Sequence, residues 1–251
     1  MARLPIGLQM YTLRDEAAKD YVGTVTAGAE MGYEGIEDSA PPGMRAGDFR
    51  RLLDGLGIVA AGTHTSLDAL ESDLDRVADF WLEVGAKYIT VSSLPASRRA
   101  DGDGWRTAAA AMSEVGGQLA ERDLVLCYHN HSFEFQSFDG EYGLDIFYGA
   151  AHATHVQGEI DTYWVQHGGE DPAEYIRKMP GRTPLIHIKD MAEDGAFAEV
   201  GEGVLDWATI FEASEAGGAA WYIVEQDVCQ RPPLESVRLT LDNLRKMGKL
   251  G

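Results

Sequence analysis

Cysteine is scarce in this chain of 251 residues: there are two, Cys127 and Cys229. Two thiols cannot build a disulfide framework or a cysteine-rich structural zinc site. Both lie in or beside apolar runs and read as reduced thiols. Basic residues are also few, 21 against 41 acidic ones, for a formal net charge of −20. Such a surface repels phosphate backbones and anionic lipid, so nucleic-acid and membrane partners are not expected. One small ligand remains compatible, since a metal ion or a few basic side chains reverse the sign locally. No apolar stretch approaches the roughly 20 residues of a membrane span. The opening Met1-Ala2-Arg3-Leu4-Pro5 has no leader-like run, and a soluble cytoplasmic protein is the expectation. Also missing are a Gly-x-Gly-x-x-Gly after the first apolar run and a phosphate-loop signature. Their absence argues against an open, doubly wound nucleotide-binding sheet.

What is present is a rhythm. Eight short apolar runs, Ile6–Met10, Tyr33–Glu37, Ile58–His64, Tyr88–Ser92, Leu124–His129, His155–Asp161, Leu185–Asp190 and Trp221–Glu225, begin 25 to 36 residues apart. That spacing fits a strand, a helix and two loops. Between the runs, apolar residues fall at helical intervals: Phe49, Leu52, Leu53 and Leu56, or Leu67, Leu70, Leu74, Val77, Trp81 and Val84 after a capping Ser66;. Gly32, Gly57 and Gly85 follow helical stretches as C-terminal stops;. The pattern predicts an α/β fold, a single-domain (β/α)8 TIM barrel over residues 1–251. Residues 101–104 and 138–141 read as loops over one end.

In such a barrel the functional side chains sit at the C-terminal strand ends. Four consecutive ends, after the fifth to eighth runs, supply Glu134, Asp161, His187 and Glu225. Three carboxylates and one imidazole suit a single divalent metal ion, manganese first, with magnesium, cobalt or zinc as alternatives. Taken singly, an Asp at a strand end is commonly a helix cap, and a His on a strand a hydrogen-bonded core residue. Glu225 and His187 are harder to explain that way, because each is embedded in an apolar strand and needs a cation or a hydrogen-bond partner. His129 and His131 are alternative ligands. Lys189 can face the same way as His187 and hold a substrate oxyanion, or pair with Asp190, Glu225 or another carboxylate. His64, His129, Glu37 and Trp164 are candidate substrate contacts. Tyr11 and Trp105 are further aromatic candidates for a sugar face, and Gly201–Trp207 reads as a loop entering a helix.

These strand ends resemble those of the sugar phosphate isomerase/epimerase family, within the xylose-isomerase-like TIM-barrel superfamily. The likeness is carried by Tyr128-His129-Asn130-His131 with Phe133-Glu134, Glu159-Ile160-Asp161 with Trp164, His187-Ile188-Lys189-Asp190, Gly201-Glu202-Gly203 and Val224-Glu225-Gln226-Asp227. Gly7–Arg14 and Gly32–Glu37 fit the same group. The resemblance implies metal ligation by Glu134, Asp161, His187 and Glu225, with Glu134, Glu225, His131 and Lys189 serving catalysis. It also implies proton transfer by two metal-bound glutamates in the epimerases. Here Tyr128 and His129 stand where the first such glutamate is expected, and Glu134 follows later. If Glu134 does not reach that place, His129 or His131 takes it. The Tyr-His-Asn-His phrase resembles a branch with inosose dehydratase-like and keto-glycoside-cleaving lyases.

Two enzymatic readings follow, both built on loss of a proton next to a carbonyl. One is an isomerase or epimerase of a sugar or keto sugar. The other is a lyase acting on a keto-inositol or 3-keto-glycoside. An apurinic-site endonuclease would need a basic face, which the charge denies, and a non-catalytic sugar-binding barrel would make the ligand set incidental. A homo-oligomer is compatible with the group. Arg98-Arg99 is the one adjacent basic pair in its half of the barrel, which points to an unphosphorylated substrate.

Overall fold

A computed structural model describes residues 3–39 and 41–250. Eight parallel strands close into a barrel: β1 Ile6–Gln9, β2 Gly35–Glu37, β3 Val59–Thr65, β4 Tyr88–Val91, β5 Val125–His129, β6 Val156–Asp161, β7 Leu185–Ile188 and β8 Trp221–Val224. β8 pairs with β1 through Ile6↔Tyr222 and Leu8↔Val224, so the sheet has no free edge;. The expected runs therefore match the strands to within a few residues.

Helices cover the outside. Ser66 Oγ accepts from Ala69 N and starts the long helix Leu67–Val84;. Gly32, Gly57 and Gly85 take φ of 111°, 70° and 90°, the left-handed stop expected of them. Residues 101–104 are not a loop. Asp101 Oδ1 accepts from Gly104 N at 2.8 Å and caps the helix Gly102–Ala120. Residues 138–141 do form a turn, between the short antiparallel strands Ser137–Phe138 and Glu141–Tyr142.

Alternation along each strand separates two environments. Leu126 and Tyr128, Ile186 and Ile188, and Tyr222 and Val224 point outward and pack under the helices. Their neighbours point inward. Ala61, Tyr88, Cys127, Leu185 and Ile223 form a small apolar floor inside the barrel. Above that floor the same inward positions turn polar: Cys127 is followed by His129, Leu185 by His187, and Ile223 by Glu225. The floor is tight near β2. A Cβ on Gly35 would lie 2.9 Å from the Val59 carbonyl and 3.0 Å from the Trp221 ring, so only glycine fits there.

Asp190 organises the chain beyond β7. Its Oδ1 accepts from Met191 N and Leu205 N, and its Oδ2 from Gly201 N, Gly203 N and Trp207 Nε1, at 2.6 to 3.2 Å. The loop expected from the glycines is thus wrapped on one carboxylate. Asp190→Ala is expected to lower stability by about 3 kcal/mol, since hydrogen bonds to a charged group contribute more than neutral ones. Urea unfolding measures this, and a change below about 0.5 kcal/mol would exclude the anchoring role.

Candidate active site

Inward alternation brings Gln9, Glu37, His129, Glu159, Asp161, His187 and Glu225 into the upper part of the barrel interior, and Lys189 joins them just past β7. All are buried. The register sets their neighbours: His129 is opposite Glu159, and Asp161 opposite His187, which is opposite Ile223 on β8.

Two groups of donors result. In the first, His129, Asp161, His187 and Glu225 each offer an atom within 4.8 Å of the others. His129 Nε2 lies 3.3 Å from Asp161 Oδ2, and His187 Nδ1 lies 3.0 Å from Glu225 Oε2. Lys189 Nζ joins the same oxygens, at 2.9 Å from Asp161 Oδ2 and 2.7 Å from Glu225 Oε2, and also meets Asp227 Oδ2 at 2.7 Å. In the second group, Glu37, His64, Glu159 and His187 converge. His64 Nε2 is 2.7 Å from Glu159 Oε2 and 3.2 Å from Glu37 Oε2. His187 Nε2 is 2.8 Å from Glu37 Oε2, which also accepts from Gln9 Nε2.

Three of the four expected ligands, Asp161, His187 and Glu225, are therefore together. The fourth, Glu134, is not. Its Oε1 accepts from Tyr128 OH at 2.8 Å and its Oε2 from His131 N at 2.9 Å, so both oxygens are held by the turn after β5. His129 stands in its place, because it is the last inward residue of β5. Glu134, expected as a ligand and acid/base, therefore lies outside this donor set. Its position has another consequence: burial raises its carboxyl to about 7.

The electrostatics are those of crowded carboxylates. Burial opposes charge on Lys189, yet Asp161, Glu225 and Asp227 keep its ammonium well above the ordinary range. Burial likewise opposes charge on His64, but Glu37 and Glu159 push it up to about 10. Glu225 is held low, against its burial, chiefly by Lys189. His131 goes the other way: burial lowers it to about 3, so its ring is neutral. It stacks on Phe133 and leans on Trp164.

A cavity of about 670 Å³ opens onto this cluster. His64, His129, His131, Glu225 and Asp227 line it, together with Tyr11 and Asp38. Glu37 and Trp164, expected to touch substrate, are not among its lining residues: Glu37 is fully buried among the inner donors, and Trp164 packs on His131 and Phe197. Trp105 is wholly buried against Tyr128 and Phe147 and is no sugar platform. Tyr11 is half exposed at the cavity mouth.

Sequence reasoning passed over Glu159 and Asp38. Glu159 was legible, since it lies two residues before Asp161 and shares its face. Asp38 was not, because its position follows from the chain leaving β2 into the cavity wall. Tyr21 OH donates to Asp38 Oδ2 at 2.6 Å, and burial raises the carboxyl to about 6.

The residues fit a divalent cation. Four inner carboxylates, Glu37, Glu159, Asp161 and Glu225, face one ammonium, Lys189, for a formal deficit of −3 before the histidines. A buried deficit of this kind requires protonated imidazoles or a bound cation. The first donor set offers two imidazole nitrogens and two carboxylate oxygens, a mix accepted by manganese, cobalt and zinc. His187 Nε2 is directed at Glu37 while Nδ1 faces the set, the carboxylate–histidine arrangement that orients a metal-binding ring;.

Comparison with known proteins agrees with the fold. Inosose dehydratase from Clostridium tetani is 27% identical over 152 residues, which cover 52% of this chain and 50% of that protein. The chain thus spans about half the length of that relative. The rhizopine catabolism protein MocC of Rhizobium meliloti is 20% identical over 256 residues, covering 87% of this chain and 79% of MocC. A sugar phosphate isomerase/epimerase from Parabacteroides distasonis superposes with a TM-score of 0.85 at 22% identity, over 99% of this chain and 100% of that one. Among the described residues no helix is long and apolar enough to cross a membrane. The family model for the xylose isomerase-like TIM barrel matches residues 25–247, and the chain belongs to that family.

Proposed function

We propose that this protein is a divalent-metal-dependent lyase that removes water from a keto-cyclitol or keto sugar, beginning with loss of a proton next to the carbonyl. The observation that carries this reading is the replacement of a carboxylate by His129 in the first donor set. Epimerisation by two cation-bound glutamates needs a base on each face of the substrate. With Glu134 held by Tyr128 and His131, one member of that pair is missing. Elimination needs a single base and a proton for the leaving hydroxyl. The name inosose dehydratase, carried by the C. tetani relative, supports the same outcome.

His129, Asp161, His187 and Glu225 would hold the cation. When bound, it would stabilise the negative charge that develops on the carbonyl oxygen. Glu225 is the carboxylate of the set that also lines the cavity, and it takes the proton. Asp38, poised near 6 and hydrogen bonded by Tyr21, returns one to the departing hydroxyl. Lys189 keeps Glu225 and Asp161 ionised and in position. His64 and His131 offer ring edges to substrate hydroxyls.

One feature favours a second substrate. Away from the donor cluster one part of the cavity wall is apolar, made by Met10, Ala17, Ala18, Tyr21, Pro41 and Pro42, next to the polar Arg14, Ser39, Ser92 and Ser93. A polyol ring alone leaves that wall unused, whereas a 3-keto-glycoside would lay an apolar aglycone on it and expel that group instead of water. Arg98 and Arg99 are already engaged, the first with Asp68 and Glu71 and the second over Phe133, which agrees with an unphosphorylated substrate.

The test is product analysis with inosose and with an aryl 3-keto-glucoside, using protein loaded with manganese. An absorbing enone, or release of the aryl alcohol, is expected from one of them. Asp38→Asn should slow the reaction by about 10²-fold and keep its metal. An epimer formed without any elimination product would overturn the reading.

A further inference from the structure

The apolar part of the cavity wall carries one cation. Arg14 lines the cavity and belongs to the same stretch of chain: Met10 precedes it, it opens the short helix Arg14–Ala17, and Ala17, Ala18 and Tyr21 follow. We infer that Arg14 recognises a carboxylate on the aglycone, so that the glycoside taken by this cavity is one of an acidic phenol. The inference rests on the 3-keto-glycoside reading and names the substrate class within it.

Three observations point to an anion at Arg14. First, its guanidinium is held in place without being neutralised. Nη1 donates to the Tyr11 carbonyl at 2.8 Å and Nη2 to the Asp227 carbonyl at 3.0 Å, and the group lies 4.3 Å over the Tyr11 ring. Among the described residues no carboxylate pairs with it, although most arginines of this acidic chain are paired, as Arg98 is with Asp68 and Glu71. Second, the other charged groups of the cavity are already matched. His64 is held by Glu37 and Glu159, Asp227 and Glu225 by Lys189, and Asp38 accepts from the Tyr21 hydroxyl. Arg14 is therefore the cationic side chain of the described lining that is free to meet a charge brought by the substrate. Third, the inner carboxylates repel an anion from the deep end of the cavity, which directs an acidic substituent outward. Arg14 is exposed there beside the half-exposed Tyr11. Two of the five guanidinium N–H groups are spent on carbonyls;. The others can serve a planar carboxylate, which accepts two parallel bonds from such a fork. A single positive charge balances a carboxylate and would leave a phosphate dianion half neutralised. An aromatic ring on the apolar wall, with its carboxylate on Arg14, uses both features at once.

The experiment compares the phenyl and para-carboxyphenyl 3-keto-glucosides. Chelator-treated whole protein is titrated with each in a calorimeter, so that binding is read without turnover. The wild type is expected to bind the carboxylated ligand about 10-fold more tightly, an advantage that fades as salt is raised. Arg14→Gln, with its fold checked by circular dichroism, should lose the advantage. Arg14→Lys should keep part of it, since an ammonium retains the charge without the fork. Loss of the tie to Tyr11 and Asp227 alone would weaken both ligands alike and leave their ratio. A ratio kept in folded Arg14→Gln therefore overturns the inference, and so does equal binding of the two ligands by the wild type. Equal binding with cleavage of both by the manganese-loaded protein would leave the glycoside reading standing without the carboxylate. A wild type that binds neither overturns both.

Discussion

Glu225→Gln is expected to release the cation of the first donor set and to lower turnover by about 10² to 10⁴-fold. The substitution keeps the shape of the side chain and removes its charge. Glu225 Oε2 is the atom that meets both Lys189 Nζ, at 2.7 Å, and His187 Nδ1, at 3.0 Å. An amide cannot accept equally from an ammonium and a cation, and it cannot take a proton from carbon. Glu225 is also the one carboxylate of that set facing the cavity, so the cation and the base would be lost together. The control is Glu134→Gln, which should keep its metal because both Glu134 oxygens are occupied by Tyr128 and His131. Steady-state kinetics and elemental analysis on both variants measure the difference. Equal loss of metal in the two would mean that Glu134 reaches the cation after all.

Lys189→Met is expected to have the largest effect on stability. The ammonium is fully buried and bonded to Asp161, Glu225 and Asp227. Removing one partner of a buried ion pair leaves uncompensated charge, at a cost of about 3 to 5 kcal/mol. The pH dependence should change with it. Asp161 and Glu225 have folded values below the ordinary carboxylate range, against the pull of burial and chiefly because of Lys189. Groups lowered in this way stabilise the fold above the unfolded carboxylate value and lose that contribution as pH falls through the lowered one. Without Lys189, burial dominates and their values rise, so the variant should gain stability on mild acidification, where the wild type still keeps the contribution of these groups. Added Mn²⁺ should restore part of the loss at neutral pH. Thermal melts across pH and manganese concentration test both points. A melting curve like that of the wild type would show that the ammonium contributes little to the fold.

The barrel was legible because its signal repeats. Apolar runs at nearly constant spacing and glycines after helical stretches each recur, and a local error at Asp101 did not disturb the count. The inner cluster was legible in part. His187 and Glu225 declared themselves as polar residues flanked by Leu185, Ile186 and Ile188 or by Trp221–Val224. Glu134 misled because the residues after β5 do not continue the strand. They turn, and Tyr128, an outward residue, captures the carboxylate from the other side. No spacing rule reports where a side chain beyond a strand end will point. Trp105 misled for a related reason, since the stretch before it, expected to be a loop, starts a helix whose inner face carries Trp105 into the core. The apolar cavity wall draws on the segment after β1 and the prolines after β2, which meet only in three dimensions.

The most direct test of proton abstraction next to a carbonyl is solvent isotope exchange. Manganese-loaded protein is incubated with inosose in D₂O, and the carbon next to the carbonyl is followed by NMR, with chelator-treated protein and Glu225→Gln alongside. Under proton abstraction at that carbon, the loaded wild type replaces its hydrogen with deuterium or loses it with water, and both controls leave it in place. Exchange that proceeds equally in the chelated protein and in Glu225→Gln, or inosose left unchanged by the loaded wild type while the aryl 3-keto-glucoside is also inert, would contradict it.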